Sequence, residues 1–172
     1  MTYERHSGAS VYVETTIVSY LTSRPNRDII VAANQELTRQ WWEEERKHFE
    51  LFVSPFVLEE ASVGDPLAAE RRLELLRQIN VLKRNPEKIG NLMEKIHLGL
   101  GMPPKARADA IHVAYAIHYH IDYLLSWNCT HLANAIICRR LADFCQTEEL
   151  WLPIICTPAE MVEEKKGIDD VY

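Results

Sequence analysis

"VYVETTIVSY", Val11 to Tyr20, is the stretch on which the reading of the fold turns. Val11 and Val13 alternate as a strand does, and Thr15-Thr16 read as the opening of a helix. Glu14 stands at the junction, a carboxylate placed where an apolar strand ends. Taken alone it is a solvated strand end. The rest of the chain decides whether it is more.

Working outward, the expected strand at about 10–13 follows a loose lead-in over 1–9. Ile17 to Leu21 reads as a turn or two of helix, closed by Pro25. From Asp28 to His48, Ile30, Ala33, Leu37 and Trp41 recur at helical spacing, which predicts one long helix with that stripe inward. A second strand, Leu51 to Val53, leads into Ser54-Pro55, a helix cap and first position, and Asp65-Pro66 repeats the signal. Asn85-Pro86 opens another helix with Ile89, Leu92, Met93 and Ile96 inward, and "GMPP" (101–104) stops it. An Ala-rich helix at about 105–118, a strand at 122–126, a helix at about 130–145 and a strand near 154–156 complete the series. Pro158 starts a terminal turn, and a charged tail over 163–172 is expected to fray.

Short apolar strands alternating with helices predict an α/β protein: a mainly parallel central sheet in a three-layer α/β/α arrangement, one domain over 10–162. In such sheets ligands bind outside the carboxyl ends of the strands, and Glu14 occupies one of those ends. The composition is ordinary for a globular protein, 47% hydrophobic and 26% charged. A formal net charge of −6 disfavours stable binding of duplex DNA, because the overall field repels phosphate. It leaves room for an enzyme that meets nucleic acid at a metal centre. No apolar run approaches the roughly 20 residues of a membrane span, and Cys129, Cys138, Cys145 and Cys156 lack metal-site spacing, so reduced thiols in a cytoplasmic protein are expected.

Three other places put polar residues on the edge that holds Glu14: Glu59-Glu60 after the second strand, Asp109 at the start of the Ala-rich helix, and Asn128 directly after "YLLS". If Glu14, Glu60 and Asp109 converge, two carboxylates about 5 Å apart repel by roughly 3 kcal/mol at an effective dielectric near 20. Such a group protonates in part or recruits a cation. Oxygen donors suit Mg²⁺ or Mn²⁺, ions that act on phosphate oxygens, and the chemistry that follows is phosphodiester hydrolysis.

"VYVETTIVSYL" is similar to the opening motif of PIN-domain nucleases: an apolar strand, an acid, then Thr. "SPFVLEEASVGD" resembles their second motif, "ADAIHVAYAI" the third, "DYLLSWNCTHLAN" the fourth and "LPIICTPAEMV" the last strand, all in family order over about 11–162. The resemblance implies a metal-dependent ribonuclease of the VapC-like type, the toxin of a type II toxin–antitoxin pair, with an RNA substrate, an antitoxin partner and a homodimeric state. Carried over, Glu14 is the first acid, Glu60 the second, Asp109 the third, and Asn128 holds the fourth position. Thr16 matches the small polar residue of the first motif, where its hydroxyl would hold water or phosphate. The chain departs from the pattern at Glu14, normally Asp, and at Asn128, often Asp. Those departures leave an alternative: a degenerate module, weak or inactive in catalysis, that acts as a binding protein.

His112, three residues after Asp109, reads as a packed, hydrogen-bonded histidine rather than a catalytic one. His131 reads as a capping or surface group, and Trp41-Trp42 as core plus partner contact. Arg24, Arg27, Lys105 and Arg107 are candidate phosphate contacts beside the same edge. A receiver-like or haloacid-dehalogenase-like phosphotransfer domain fits less well, because its nucleophile is an Asp where this chain has Glu14.

Overall fold

The structure, a computed structural model, describes residues 8–162. The lead-in before Gly8 and the charged tail lie outside the described residues, and Ala9 already belongs to the first strand.

Chain order is β1 (Ala9–Val13), α1 (Thr15–Thr22), α2 (Ile29–Gln40), β2 (Phe49–Val53), α3 (Pro55–Ala61), α4 (Pro66–Leu76), β3 (Asn80–Val81), α5 (Pro86–Gly99), α6 (Arg107–His118), β4 (Tyr123–Leu125), α7 (Ala135–Thr147) and β5 (Ile154–Cys156). The strands form one sheet in the order β3-β2-β1-β4-β5, and every pairing is parallel. Parallel neighbours require crossovers, and right-handed crossovers decide the layers. From β1 the chain steps outward through β2 to β3, which puts α1 to α4 on one face. It then returns past β1 to β4 and on to β5, which puts α5 to α7 on the other. The main helix contacts obey this division: α1 touches α2, α3 and α4, whereas α5 touches α6 and α7.

In the central strand Val11, Tyr12 and Val13 are fully buried. Strand alternation puts Tyr12 and Glu14 on one side of the sheet and Val11 and Val13 on the other. Tyr12 meets His112 and Tyr115 of α6, at ring-centroid distances of 5.7 and 6.5 Å. Between β1 and β4 the direction of winding reverses, so the crevice at their carboxyl ends is the topological switch point. Register pairs Val13 with Leu125, so the next residues along, Glu14 and Ser126, are neighbours at that crevice.

Local capping chemistry explains where the helices start. Asp28, Ser54, Asp65 and Asn85 each accept a backbone N–H of the helix they precede, and Pro follows the last three directly. Three expectations are corrected. The long helix over 28–48 ends as an α-helix at Gln40, where Trp41–Glu45 widens into a π turn and Arg46–His48 tightens into a 3-10 turn. Its expected inward stripe is also rotated over its first part: Ile30 and Ala33 face out and Gln35 and Thr38 are buried, whereas Leu37 is half-buried and Trp41 buried as expected. Gln35 faces inward because its amide closes the preceding loop, accepting from Asn26 N at 2.9 Å and donating to Ser23 Oγ and Arg24 O at 2.6 and 3.0 Å. The helix expected from about 130 begins at Ala135 under an Asn134 cap. Asn128 holds the residues before it in a turn, its carbonyl oxygen accepting from Leu132 N and Ala133 N.

Candidate active site

Glu14 is 5% exposed and caps α1 from the end of β1. One carboxylate oxygen, Oε2, accepts three hydrogen bonds: from Thr16 N at 3.1 Å, Thr16 Oγ1 at 2.5 Å and Ser126 Oγ at 2.8 Å. The other oxygen, Oε1, accepts none among the described residues; it faces His112 Nε2 at 3.7 Å. The clamp on Oε2 therefore aims Oε1 into the crevice. Thr16 is itself held, since its Oγ1 accepts Trp127 N at 2.9 Å while donating to Glu14. That hydroxyl positions the Glu14 carboxylate, with its proton already committed to it.

Glu60 projects from α3 into the same space. His112 Nε2 lies 3.1 Å from its Oε2, which also accepts the Thr15 hydroxyl. Glu59, one residue earlier, turns outward to an exposed ion pair with Arg84. Burial acts to raise the Glu60 pKa, yet the hydrogen bond and charge of His112, with the Thr15 bond, outweigh it and hold the group below its ordinary value. His112 is 1% exposed. Burial is the largest single influence on it and opposes its charge. The bond to Glu60 and the fields of Glu14, Glu60 and Asp109 together win and raise its pKa.

Behind His112 the polar atoms form a closed chain. Nδ1 lies 2.8 Å from Tyr12 Oη, Tyr12 Oη lies 2.7 Å from Ser54 Oγ, and Ser54 Oγ accepts Val57 N at 3.2 Å. Ser54 thus joins two roles, helix cap of α3 and anchor of the histidine's supporting phenol.

Asp109 stands in the first turn of α6, one helical turn before His112. Asn128 Nδ2 donates to its Oδ1 at 2.8 Å, while Asn128 Oδ1 accepts His131 N at 3.1 Å. Burial raises the Asp109 pKa and the nearby charge of Glu14 adds to that, against the fields of His112 and His131 and the Asn128 bond. The ligand atoms that draw closest are those of Glu14, Glu60 and His112, all within 4.8 Å of one another; Asp109 lies outside that trio but within its electrostatic reach. Two carboxylates and one imidazole, with a free Glu14 oxygen aimed between them, are a donor set that fits a divalent cation.

Tyr12, Thr15, Ser126 and His112 are the site residues that motif reading passed over or set aside as packing. Ser126 carried a signal, since it directly follows the strand beside β1, and His112 another, since it shares a helical face with Asp109. Of the candidate phosphate contacts, Arg24, Arg27 and Lys105 are exposed, and Arg107 pairs with Glu94. Trp41 is buried, while Trp42 lies half-buried under the Arg46 guanidinium, 4.3 Å from its ring centre.

No protein-family model matches the chain, and no curated protein matches it. Solved structures do. VapBC2 from Rickettsia felis bound to a DNA fragment from their promoter aligns with a TM-score of 0.53 at 12% identity, over 86% of this chain and 98% of the other. FitAcB from Neisseria gonorrhoeae aligns at 0.51 and 13% identity, over 86% and 97%. At such identities the likeness is one of fold. With its five parallel strands in the order 3-2-1-4-5 and its acids gathered at the switch point, the chain has a PIN-like α/β/α fold.

Proposed function

We propose that the chain is a divalent-metal-dependent endoribonuclease, working through Glu14, Glu60, Asp109 and Asn128, and the toxin half of a toxin–antitoxin pair. The observation that carries the reading is the convergence of Glu14, Glu60 and His112 at the sheet's switch point, with one Glu14 oxygen accepting no hydrogen bond among the described residues. Glu14 and Glu60 would hold Mg²⁺ or Mn²⁺. When bound, the ion supplies positive charge to the phosphoryl oxygens and makes water more acidic.

The chain's own groups do the remaining work. Thr16 and Ser126 fix the Glu14 carboxylate, so the longer side chain at the first acid is held by the same clamp that aims it. Asn128 orients Asp109 through Oδ1, leaving Oδ2 as an acceptor for the proton of an attacking water. The raised pKa of Asp109 makes it a better base for that transfer. The water oxygen bonds to phosphorus as the phosphorus–oxygen bond to the leaving ribose breaks. Lys105, Arg24 and Arg27 are exposed cations that would contact flanking phosphates.

The antitoxin is supported by the solved complexes of like fold, VapBC2 and FitAcB, and by the net charge of −6, which suits a basic partner. The test is cleavage of single-stranded RNA with Mn²⁺ or Mg²⁺. Glu14→Gln and Asp109→Asn are each expected to lower the rate at least a hundredfold while the protein stays folded. Cleavage that survives EDTA, or that neither substitution changes, refutes the proposal.

A further inference from the structure

The proposed nuclease site offers more than oxygen to a cation. We infer that His112 Nε2 is a direct metal ligand, making a mixed Glu14–Glu60–His112 site that prefers Mn²⁺ or Zn²⁺ over Mg²⁺. This deepens the reading above and rests on it for the place of the site.

Three observations converge. The first is spacing: His112 Nε2 lies 3.1 Å from Glu60 Oε2 and 3.7 Å from Glu14 Oε1. Adjacent ligands of an octahedral ion at about 2.1 Å stand roughly 3 Å apart, so these atoms already sit near the edges of a coordination polyhedron. The second is the open valence of Glu14. Its side chain is 7% exposed, Oε2 takes three hydrogen bonds, and Oε1 takes none among the described residues. That oxygen, with no donor among the described residues, has its lone pairs available to a cation. It is aimed at His112 Nε2.

The third is the support behind the ring. A metal-binding histidine characteristically donates its other N–H to a fixed acceptor, which sets the tautomer and the ring plane. Here Nδ1 faces Tyr12 Oη at 2.8 Å, and Tyr12 can pass its own proton to Ser54 Oγ at 2.7 Å. With Nδ1–H donated in that direction, the Nε2 lone pair is left for the crevice. A cation that enters replaces the Nε2 proton now shared with Glu60, and that proton leaves to solvent. Phe56, 5.2 Å from the imidazole between ring centres, packs against it and fixes its place further. An imidazole among carboxylates raises affinity for first-row transition ions far more than for Mg²⁺, which prefers oxygen alone.

The experiment titrates Mn²⁺ into the full-length, RNA-free protein and records pulsed electron paramagnetic resonance. Modulation from a directly bound ¹⁴N nucleus is expected, lost in His112→Gln, together with at least tenfold weaker Mn²⁺ binding. In competition, Mn²⁺ is expected to outbind Mg²⁺ at least tenfold. If His112→Gln does not fold, Glu14→Gln serves, since it must abolish the same nitrogen signal if that signal arises here. Mn²⁺ bound with no nitrogen coupling overturns the ligand role and leaves the nuclease reading intact. Failure of the protein to bind either Mn²⁺ or Mg²⁺ overturns both.

Discussion

Replacing Tyr12 with Phe tests whether the chain of polar atoms behind the site is as tightly built as the geometry says. Tyr12 is fully buried, and its hydroxyl lies 2.8 Å from His112 Nδ1 and 2.7 Å from Ser54 Oγ. Burial, the largest influence, lifts the phenol well above its usual pKa, so the oxygen keeps its proton and serves as both donor and acceptor. Phe preserves the ring and its packing on Tyr115 and His112, which confines the loss to one oxygen. His112 Nδ1 is then left buried without a partner, at a cost of about 1–3 kcal/mol. Ser54 Oγ keeps its bond from Val57 N, so its loss is nearer the net value of one hydrogen bond, about 1 kcal/mol. The phenol's own desolvation is relieved, which trims that sum to roughly 1–3 kcal/mol of lost stability. With a urea slope of about 2 kcal/mol/M, the unfolding midpoint of the metal-free protein drops by roughly 0.5–1.5 M. A drop below about 0.3 M would mean that solvent or another group satisfies His112 and that the Tyr12 hydroxyl is not its support.

Other expectations are independent of that one. In metal-free protein the His112 contribution to stability is fully present below its unfolded value of 6.5 and is lost as pH rises through its raised folded value. The Glu60 contribution is present above its unfolded value of 4.5 and is lost as pH falls through its lowered folded value. The pair therefore contributes most between those two pH values, and urea midpoints of wild type should decline as pH rises above 6.5 while those of His112→Gln do not; parallel profiles would contradict the pairing. Glu59→Gln should leave RNA cleavage unchanged and shift stability by less than about 1 kcal/mol, because its ion pair with Arg84 is exposed. A loss of cleavage comparable to that of Glu60→Gln would place the second acid wrongly. Burial pushes the thiols of Cys145 and Cys156 up to about 11 and about 12 respectively, so a thiol reagent at neutral pH should label exposed Cys129 and spare both until urea unfolds the chain.

Much of the layout was legible because its determinants are local. Ser54-Pro55, Asp65-Pro66 and Asn85-Pro86 each state a helix start in two residues, and each starts a helix in the structure. The acid after Val13 marks a strand end that the sheet then places at the switch point. What escaped reading depends on partners distant in sequence. β3 is two residues long and exists because Val53 and Phe52 pair with Val81 and Asn80, so no periodicity could announce it. The stripe of α2 is rotated because Gln35 ties a loop and Thr38 accepts the Trp127 indole N–H at 2.7 Å, contacts that outweigh the apolar pattern. His112 was legible as packed and hydrogen-bonded, which it is. Its place between two carboxylates follows only when α3, β1 and α6 are folded together.

The proposed metal centre lies at the carboxyl ends of β1 and its neighbours, and crystals soaked in Mn²⁺ and measured at the manganese absorption edge reveal whether an ion sits there. An anomalous peak is predicted within about 2.5 Å of Glu14 Oε1 and close to Glu60 and His112. A fully substituted crystal with no peak in that crevice, or with manganese only on surface acids, would contradict the proposed centre.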